Sequence, residues 1–496
     1  MQMWEDNGAH IPTNPQDDIW DVVVVGTGAG GGTAGFNLAR LGRKVLFIER
    51  GAHLLPDWAA NASRRDPAWW PDAVGPKGNA SEQAPIGCCV GGSTSIFGMV
   101  LERLSPLDFE PGRYAHGLNT SLPATWPIEY SDLEPYYRQA ETLFRVRGTD
   151  DPLAPGRSES LLPPPEPSAA ETSILDRLGK AGLHPYRVHT ACDRVDGCDG
   201  CFIARCPRQC RNDAARMCVQ PALQQYGAHL LPECHVIKLE VHRDRVKTAV
   251  CSYQGREIRI RGRVFVLGLH ALLTPALLLR SACEEFPNGL GNDSGLVGRN
   301  LMMHVVDSAF VHFGDVAGAR NTELHHGVAF NDFYVSNGRK LGNVQAHAAD
   351  LGAAAASSDS RDSLHFFSIL EDFPYRHNRI TIDGQNAVRW DYAWSDDLAA
   401  RRRAFLELVS TTLARQRDVS VLTQEVGLGI PHACGTCRFG NDARDSVLDR
   451  NNRVHDLENL YVVDASFFPS SGGVNPSLTI VANSLRVSEK IALTAH

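Results

Sequence analysis

Residues 19–49 read IWDVVVVGTGAGGGTAGFNLARLGRKVLFIE. The β-branched run Val22 to Val25 predicts a buried parallel strand, Thr33 to Leu41 a helix, and Lys44 to Ile48 a second strand ending on Glu49. Between the first strand and the helix, Gly26, Gly28 and Gly31 fit G-x-G-x-x-G, and Glu49 follows Gly31 by eighteen residues. Glycines so placed permit a tight turn, close approach of backbone to a pyrophosphate and close packing of helix on strand, while the carboxylate can hold a ribose hydroxyl. The motif alone is weak. With a strand before it, a helix after it and an acid at the second strand's tip, it predicts a dinucleotide-binding, Rossmann-type α/β domain.

Outward from this stretch, residues 51–86 read as a surface excursion. They lead to a second Gly-rich turn, IGCCVGGSTSIFG at 86–98, in which Gly91, Gly92 and Ser93 set backbone against another flat or phosphorylated part of the same ligand. At the far end, the block from His432 to Asn483 compresses a histidine, a Gly-Thr turn, a short strand (Leu460 to Val463), a Gly-Gly loop and an Asn-Pro pair. Asn475 before Pro476 is a helix-start signal, with the helix expected from Ser477 to about Leu493. The positive end of such a helix suits a ligand that gains negative charge. The competing reading has Asn475 only capping and His432 only packing, and it leaves the upstream glycine motifs unexplained.

Composition narrows the classes. A chain of 496 residues with 43% hydrophobic content can fill two domains or one intertwined pair. A formal charge of −8 offers no general basic surface, so no nucleic acid is expected as partner. No apolar run reaches the length of a membrane span, and the first residues lack a basic-then-apolar leader, so the expected compartment is the cytoplasm, with export on a partner's signal left open. In that compartment the thirteen cysteines argue for thiols or metal ligands before disulfides.

Further motifs occur in one order: Trp126-Pro127-Ile128 with Leu133 to Tyr137, Thr274 to Leu279, Pro287 to Gly291, and Leu296 to Leu301. Together with the two Gly-rich turns and the C-terminal block, from about residue 20 to 492, they resemble the glucose–methanol–choline (GMC) family of FAD oxidoreductases. The resemblance implies an FAD-binding Rossmann-type domain (1–110, 190–300 and 426–496) interleaved with a substrate or cap domain built on an antiparallel sheet (111–189 and 301–425). It also implies that His432, in the context His-x-x-Gly-Thr, is the catalytic base and Asn475 its partner. Pro476 and its helix then lie at the flavin's N1/O2 edge, and Asp464 is either an FAD contact or a strand-end cap. Ile96 and Phe97 stand where some members attach the flavin through histidine, so FAD is expected to be non-covalent. The turn Gly268-Leu269-His270-Ala271 departs from the family's Ala-Ala-Gly, and His270 is expected to point into solvent.

Six cysteines lie between 192 and 218, with C-x2-C-x4-C-x3-C spacing over Cys198, Cys201, Cys206 and Cys210. These four are candidate ligands of an iron–sulfur cluster or, second, a structural zinc, although neither standard spacing is matched; disulfides or free thiols are the alternatives. Some family members carry a cluster in this region, which would pass electrons to an external acceptor or partner protein and so favours a dehydrogenase over an oxidase. The remaining chain predicts a proline-rich loop at 151–170, a helix near 171–182, a hairpin about Gln254-Gly255, strands at 304–313 and 343–348, a loop at 353–360, a hairpin over 379–392 and a helix over 396–416.

Alcohol oxidation needs the O–H proton removed and the C–H hydride passed to flavin N5; histidine, with an ordinary pKa near 6.5, suits the first task. The function expected is FAD-dependent oxidation of a CH–OH group of a sugar, sugar derivative or glycosylated small molecule. Two other classes stand beside it: a non-redox lyase that keeps FAD structurally, which would turn over without flavin bleaching, and a catalytically silent FAD-binding partner, against which the pair His432 and Asn475 argues.

Overall fold

The computed structural model describes residues 10–52, 75–76, 86–156, 158–195, 198, 208–314, 320, 324–348 and 363–494. Most of the 51–86 excursion and the loop at 353–360 fall outside these residues.

The strand Ile19–Val25 lies at the centre of a seven-stranded sheet. Val45–Ile48 runs parallel on one side, followed by His229–Leu231, and the end of Arg256–Leu267 runs parallel on the other. Alternate valines face opposite layers. Val22 and Val24 pack with Phe47, Leu38 and Ile491, whereas Val23 and Val25 join the large core beneath. Burial on both faces is why the run reads as continuous valine rather than alternating polar and apolar. Arg256–Leu267 then serves two neighbours on its far edge. Its first half forms a hairpin with Arg245–Tyr253, and its last residues pair in parallel with Leu460–Val462. Gln254 and Gly255, at φ 49° and 72°, form the turn as expected. The helices Ala29–Arg40 and Ser477–Thr494 pack against one another, with Asn37 Nδ2 donating to Ser488 Oγ at 2.7 Å.

A six-stranded sheet forms the second layer, in the order Val419–Cys434, Met302–Phe313, Leu364–Leu370, Gly342–His347, Gly327–Phe330, Tyr186–Arg187. All its pairings are antiparallel. The helix Asp396–Ala414, capped by Ser395 Oγ accepting from Leu398 N at 3.0 Å, buries Leu398, Phe405 and Val409 on one face. Val305, Ala309, Val344 and Phe366 meet it there. By alternation along each strand, His304, Ser308, Gln345, His347, His365 and Phe367 occupy the opposite face. Val419–Cys434 crosses the boundary expected at 425 and stays paired with Met302–Phe313 as far as Cys434. The pairing slips twice, and at the second slip five steps from Gly429 to Cys434 oppose two from His304 to Met302.

A buried ion cluster joins the layers. Lys340 Nζ contacts the carboxylates of Asp108 and Glu371; Tyr334 Oη donates to Asp108 Oδ2 at 2.7 Å; and Glu371 Oε1 accepts from Gly472 N at 3.2 Å. No described helix is long and apolar enough to cross a membrane.

Candidate active site

The two glycine turns face each other. A Cβ on Gly26, whose φ is +90°, would lie 2.5 Å from Gly268 O, and one on Gly31 would lie 2.0 Å from Gly26 O, so both positions exclude side chains through backbone packing. Gly28 differs: a Cβ there would meet only Gly91 O and Gly92 Cα, each at 4.0 Å. The space it leaves lies before the helix Ala29–Arg40, bounded by backbone from both turns, the kind of open backbone cradle that a dinucleotide pyrophosphate needs.

Glu49 acts as a hub of this cradle. It accepts from Thr27 N at 3.1 Å, Thr27 Oγ1 at 2.6 Å and Gly51 N at 3.0 Å, and burial pushes its carboxyl pKa up despite those bonds. Thr27 Oγ1 in turn accepts from Gly91 N at 3.1 Å, which ties the first turn to the second. Ser93 Oγ accepts from Gly87 N at 3.0 Å and closes the second turn.

Asp464 caps the short turn Ala465–Phe467 through Ser466 N at 2.9 Å, and its other oxygen accepts from Thr274 Oγ1 and from His270 N at 3.2 Å. The acid therefore works as the strand-end cap and clamps the 270–274 turn. His270 does not point into solvent as expected. It adopts φ +93°, and its half-buried ring turns toward Pro431 O, with Nε2 3.5 Å away. The clamp on its backbone N–H holds this unusual conformation in place.

His432 sits on the bulge of Val419–Cys434, and the three extra residues there carry it out of the regular ladder. The residue is half-buried. Desolvation, then His304 and His270, push its pKa down to about 3. Its Nδ1 lies 3.0 Å from Nδ1 of His304, whose Nε2 lies 2.9 Å from Gly472 O and 3.3 Å from Ser471 O. Asn475 Oδ1 accepts from Gln345 Nε2 at 3.2 Å. The first bond of the following helix, Ile480 N to Pro476 O at 3.1 Å, falls one residue beyond Asn475. The Asn475 side-chain oxygen is thus engaged by Gln345 of the antiparallel sheet rather than by the helix, and it is Pro476, not Asn475 as expected, whose carbonyl takes the first bond of the helix Ser477–Thr494.

Two residues absent from the expected site therefore belong to it. His304 and Gln345 were legible only as strand residues; the signal that could have found them is alternation, which puts His304 with Ser308, and Gln345 with Asn343 and His347, on one face of each strand.

Among the cysteines, Cys198 and Cys210 come together with Cys192, their sulfurs all within 4.8 Å of one another. Cys192 was not in the expected ligand set. Cys201 and Cys206 lie outside the described residues, and Cys218 sits apart, its sulfur 3.6 Å from Thr33 Oγ1. The triad packs against Phe97 and Met99, at the end of the second glycine turn.

Two family models described as GMC oxidoreductase match residues 21–306 and 374–484. Paromamine 6'-oxidase of Streptomyces fradiae is 31% identical over 97% of this chain and 92% of its own length. The 2-methyl-1,2-propanediol dehydrogenase of Mycolicibacterium austroafricanum is 27% identical over 96% of this chain and 95% of its own. Among solved structures, pyridoxine 4-oxidase from Mesorbium loti superposes with a TM-score of 0.65 at 18% identity, over 95% of this chain and 99% of that one. Both the glycine cradle and the matched length lead to one assignment: the chain belongs to the GMC oxidoreductase family, FAD-dependent enzymes that act on CH–OH donors.

Proposed function

We propose that this enzyme oxidises a hydroxyl of a sugar, sugar derivative or glycosylated small molecule, with His432 as base and Asn475 as ligand of the reacting oxygen. FAD, when bound, supplies the hydride acceptor at N5. Segments 1–110, 190–300 and 426–496 hold it in this reading, Gly26, Gly28, Gly31, Gly91, Gly92 and Ser93 forming the cradle, while 111–189 and 301–425 shape the substrate space.

The observation that carries the proposal is that one face of the antiparallel sheet reaches both residues, His304 meeting His432 at 3.0 Å and Gln345 meeting Asn475 at 3.2 Å. A base must be unprotonated to accept the substrate proton; burial pushes the His432 pKa down to about 3, which keeps the resting ring neutral while lowering its intrinsic basicity. Asn475 has its oxygen occupied by Gln345, which leaves the amide N–H groups to donate to the alcohol oxygen. His347 and His365, held down at about 3 and about 4 by burial, are neutral beside Ser308 and Gln345. Neutral donors and acceptors on one face suit a polyhydroxylated ligand. The likeness to paromamine 6'-oxidase supports this reading.

The cysteine triad fits soft-metal chemistry, and we read it as ligands of an iron–sulfur cluster, with zinc second. Its packing against Phe97 and Met99 supports a route for electrons from the flavin cradle toward an outside acceptor. Iron, zinc and sulfide content of the purified protein tests this directly.

The function is tested by the visible spectrum before and after anaerobic addition of a panel of sugars and alcohols. Substrate-dependent bleaching of the flavin is expected, slowed about 10²- to 10⁴-fold in His432→Ala. Unchanged flavin reduction in that variant would remove His432 from the mechanism.

A further inference from the structure

We propose that His304 is a positioning residue that sets the tautomer of His432, fixing its proton on Nδ1 and leaving Nε2 as the basic nitrogen. The inference deepens the reading of His432 as base and rests on it.

Three contacts carry the argument. His304 Nε2 faces two backbone carbonyls, Gly472 O at 2.9 Å and Ser471 O at 3.3 Å. A carbonyl oxygen only accepts, so Nε2 of His304 carries hydrogen. A neutral imidazole has a single N–H, so Nδ1 of His304 presents a lone pair. Nδ1 of His432 stands 3.0 Å from it, and the contact is a hydrogen bond only if His432 brings the proton. His432 is neutral as well, which leaves its Nε2 bare. The reverse assignment would turn the His304 Nε2 lone pair onto two carbonyl oxygens in a fully buried site, leaving acceptor against acceptor with no proton between them.

Neutrality of both rings is a premise, and the surroundings supply it. Burial pushes His304 down to about 4 against the bonds to Gly472 and Ser471, and His432 sits lower still. The charged or titratable groups around the pair are engaged elsewhere. Asp108 and Glu371 hold Lys340, and Asp372 accepts from Met303 N at 3.0 Å and Tyr392 Oη at 2.7 Å. On the other side, His270 turns to the Pro431 carbonyl. When the substrate O–H bond breaks, its proton goes to His432 Nε2, and the Nδ1–H of the resulting imidazolium keeps its acceptor on His304.

The test uses full-length protein labelled with 15N in histidine, whose ring-nitrogen shifts distinguish the two tautomers without substrate; the His432 signals are assigned by their loss in His432→Ala. The expected result is Nδ1–H with unprotonated Nε2 from pH 5.5 to 8. In His304→Leu that preference is lost and kcat falls about 10²- to 10⁴-fold with little change in KM. His304→Asn, whose side-chain oxygen can take the place of Nδ1 as acceptor, restores both. Nε2–H in the wild-type enzyme overturns the proposal, whether or not the leucine variant folds, and so does an unchanged tautomer in His304→Leu. Because the tautomer is read in resting protein, failure here is separable from failure of the base assignment, which full turnover by His432→Ala would reveal.

Discussion

If Asn475 holds the reacting oxygen as proposed, Gln345 acts on the chemistry without touching the reacting bond. Buried on the central strand of the antiparallel sheet, it turns the Asn475 amide by donating to its oxygen. Replacing it with leucine leaves that oxygen unpaired and lets the amide reorient, at a cost of about 1–3 kcal/mol at the proposed substrate site. Steady-state kinetics of Gln345→Leu should therefore show kcat/KM lower by about tenfold or more, with flavin content intact. A pH profile provides a second check. With His432 held near 3, no acid limb from this residue should cross kcat/KM between pH 5 and 8; a limb near the ordinary histidine value, absent in a His432 variant that retains residual turnover, would contradict the depressed basicity.

Elements explain what could be read beforehand and what could not. The first strand, its glycine turn and the closing helix announced themselves because local physics dictates them: β-branched residues on a doubly buried strand, glycines under backbone, and a proline just before the helix, although Asn475 does not cap it. The hairpin at Gln254-Gly255 was legible for the same reason. Val419–Cys434 was not, although it carries His432. Its exposed outer residues, two glycines and Pro431 break the alternation that marks a strand, and Pro431 argues against one outright. The bulge reconciles them, because residues between Gly429 and Cys434 owe no ladder bonds to the neighbour. Nor could the partnership of His304 with His432 be read, since 128 positions separate residues that only the sheet brings together. The turn at His270 makes a sharper test. Its φ of +93° favours glycine, so His270→Gly removes strain of about 1–3 kcal/mol and should hold or raise the urea midpoint, while deleting a neighbour that lowers the His432 pKa.

Across the whole molecule, the Asp108–Lys340–Glu371 cluster binds the antiparallel sheet to the loop that precedes the closing helix. Lys340 is 2% exposed, and Lys340→Met would strand two buried carboxylates at a cost of about 3–5 kcal/mol, readable as a large loss in chemical denaturation. Buried histidines shape the pH response. His326, held near 3 by desolvation and by Arg194 and Arg187, binds a proton in the unfolded chain before the folded one does. Its contribution to stability is complete above the ordinary value near 6.5 and is lost as pH falls toward 3, by up to about 1.4 kcal/mol per unit. Relative to His326→Gln, the wild-type protein should thus weaken progressively between pH 6 and 4; parallel curves would exclude the effect. The polar face of the antiparallel sheet has a historical consequence as well. On the proposed reading, the strands that would meet the ligand also aim His432 and Asn475 through His304 and Gln345, so a lineage that acquires a new donor by rewriting those strands would disturb turnover at the same time. Innovation in such a scaffold would be channelled into segments bordering the sheet, where sequence can drift and selectivity can change while the proposed reacting pair stays in register.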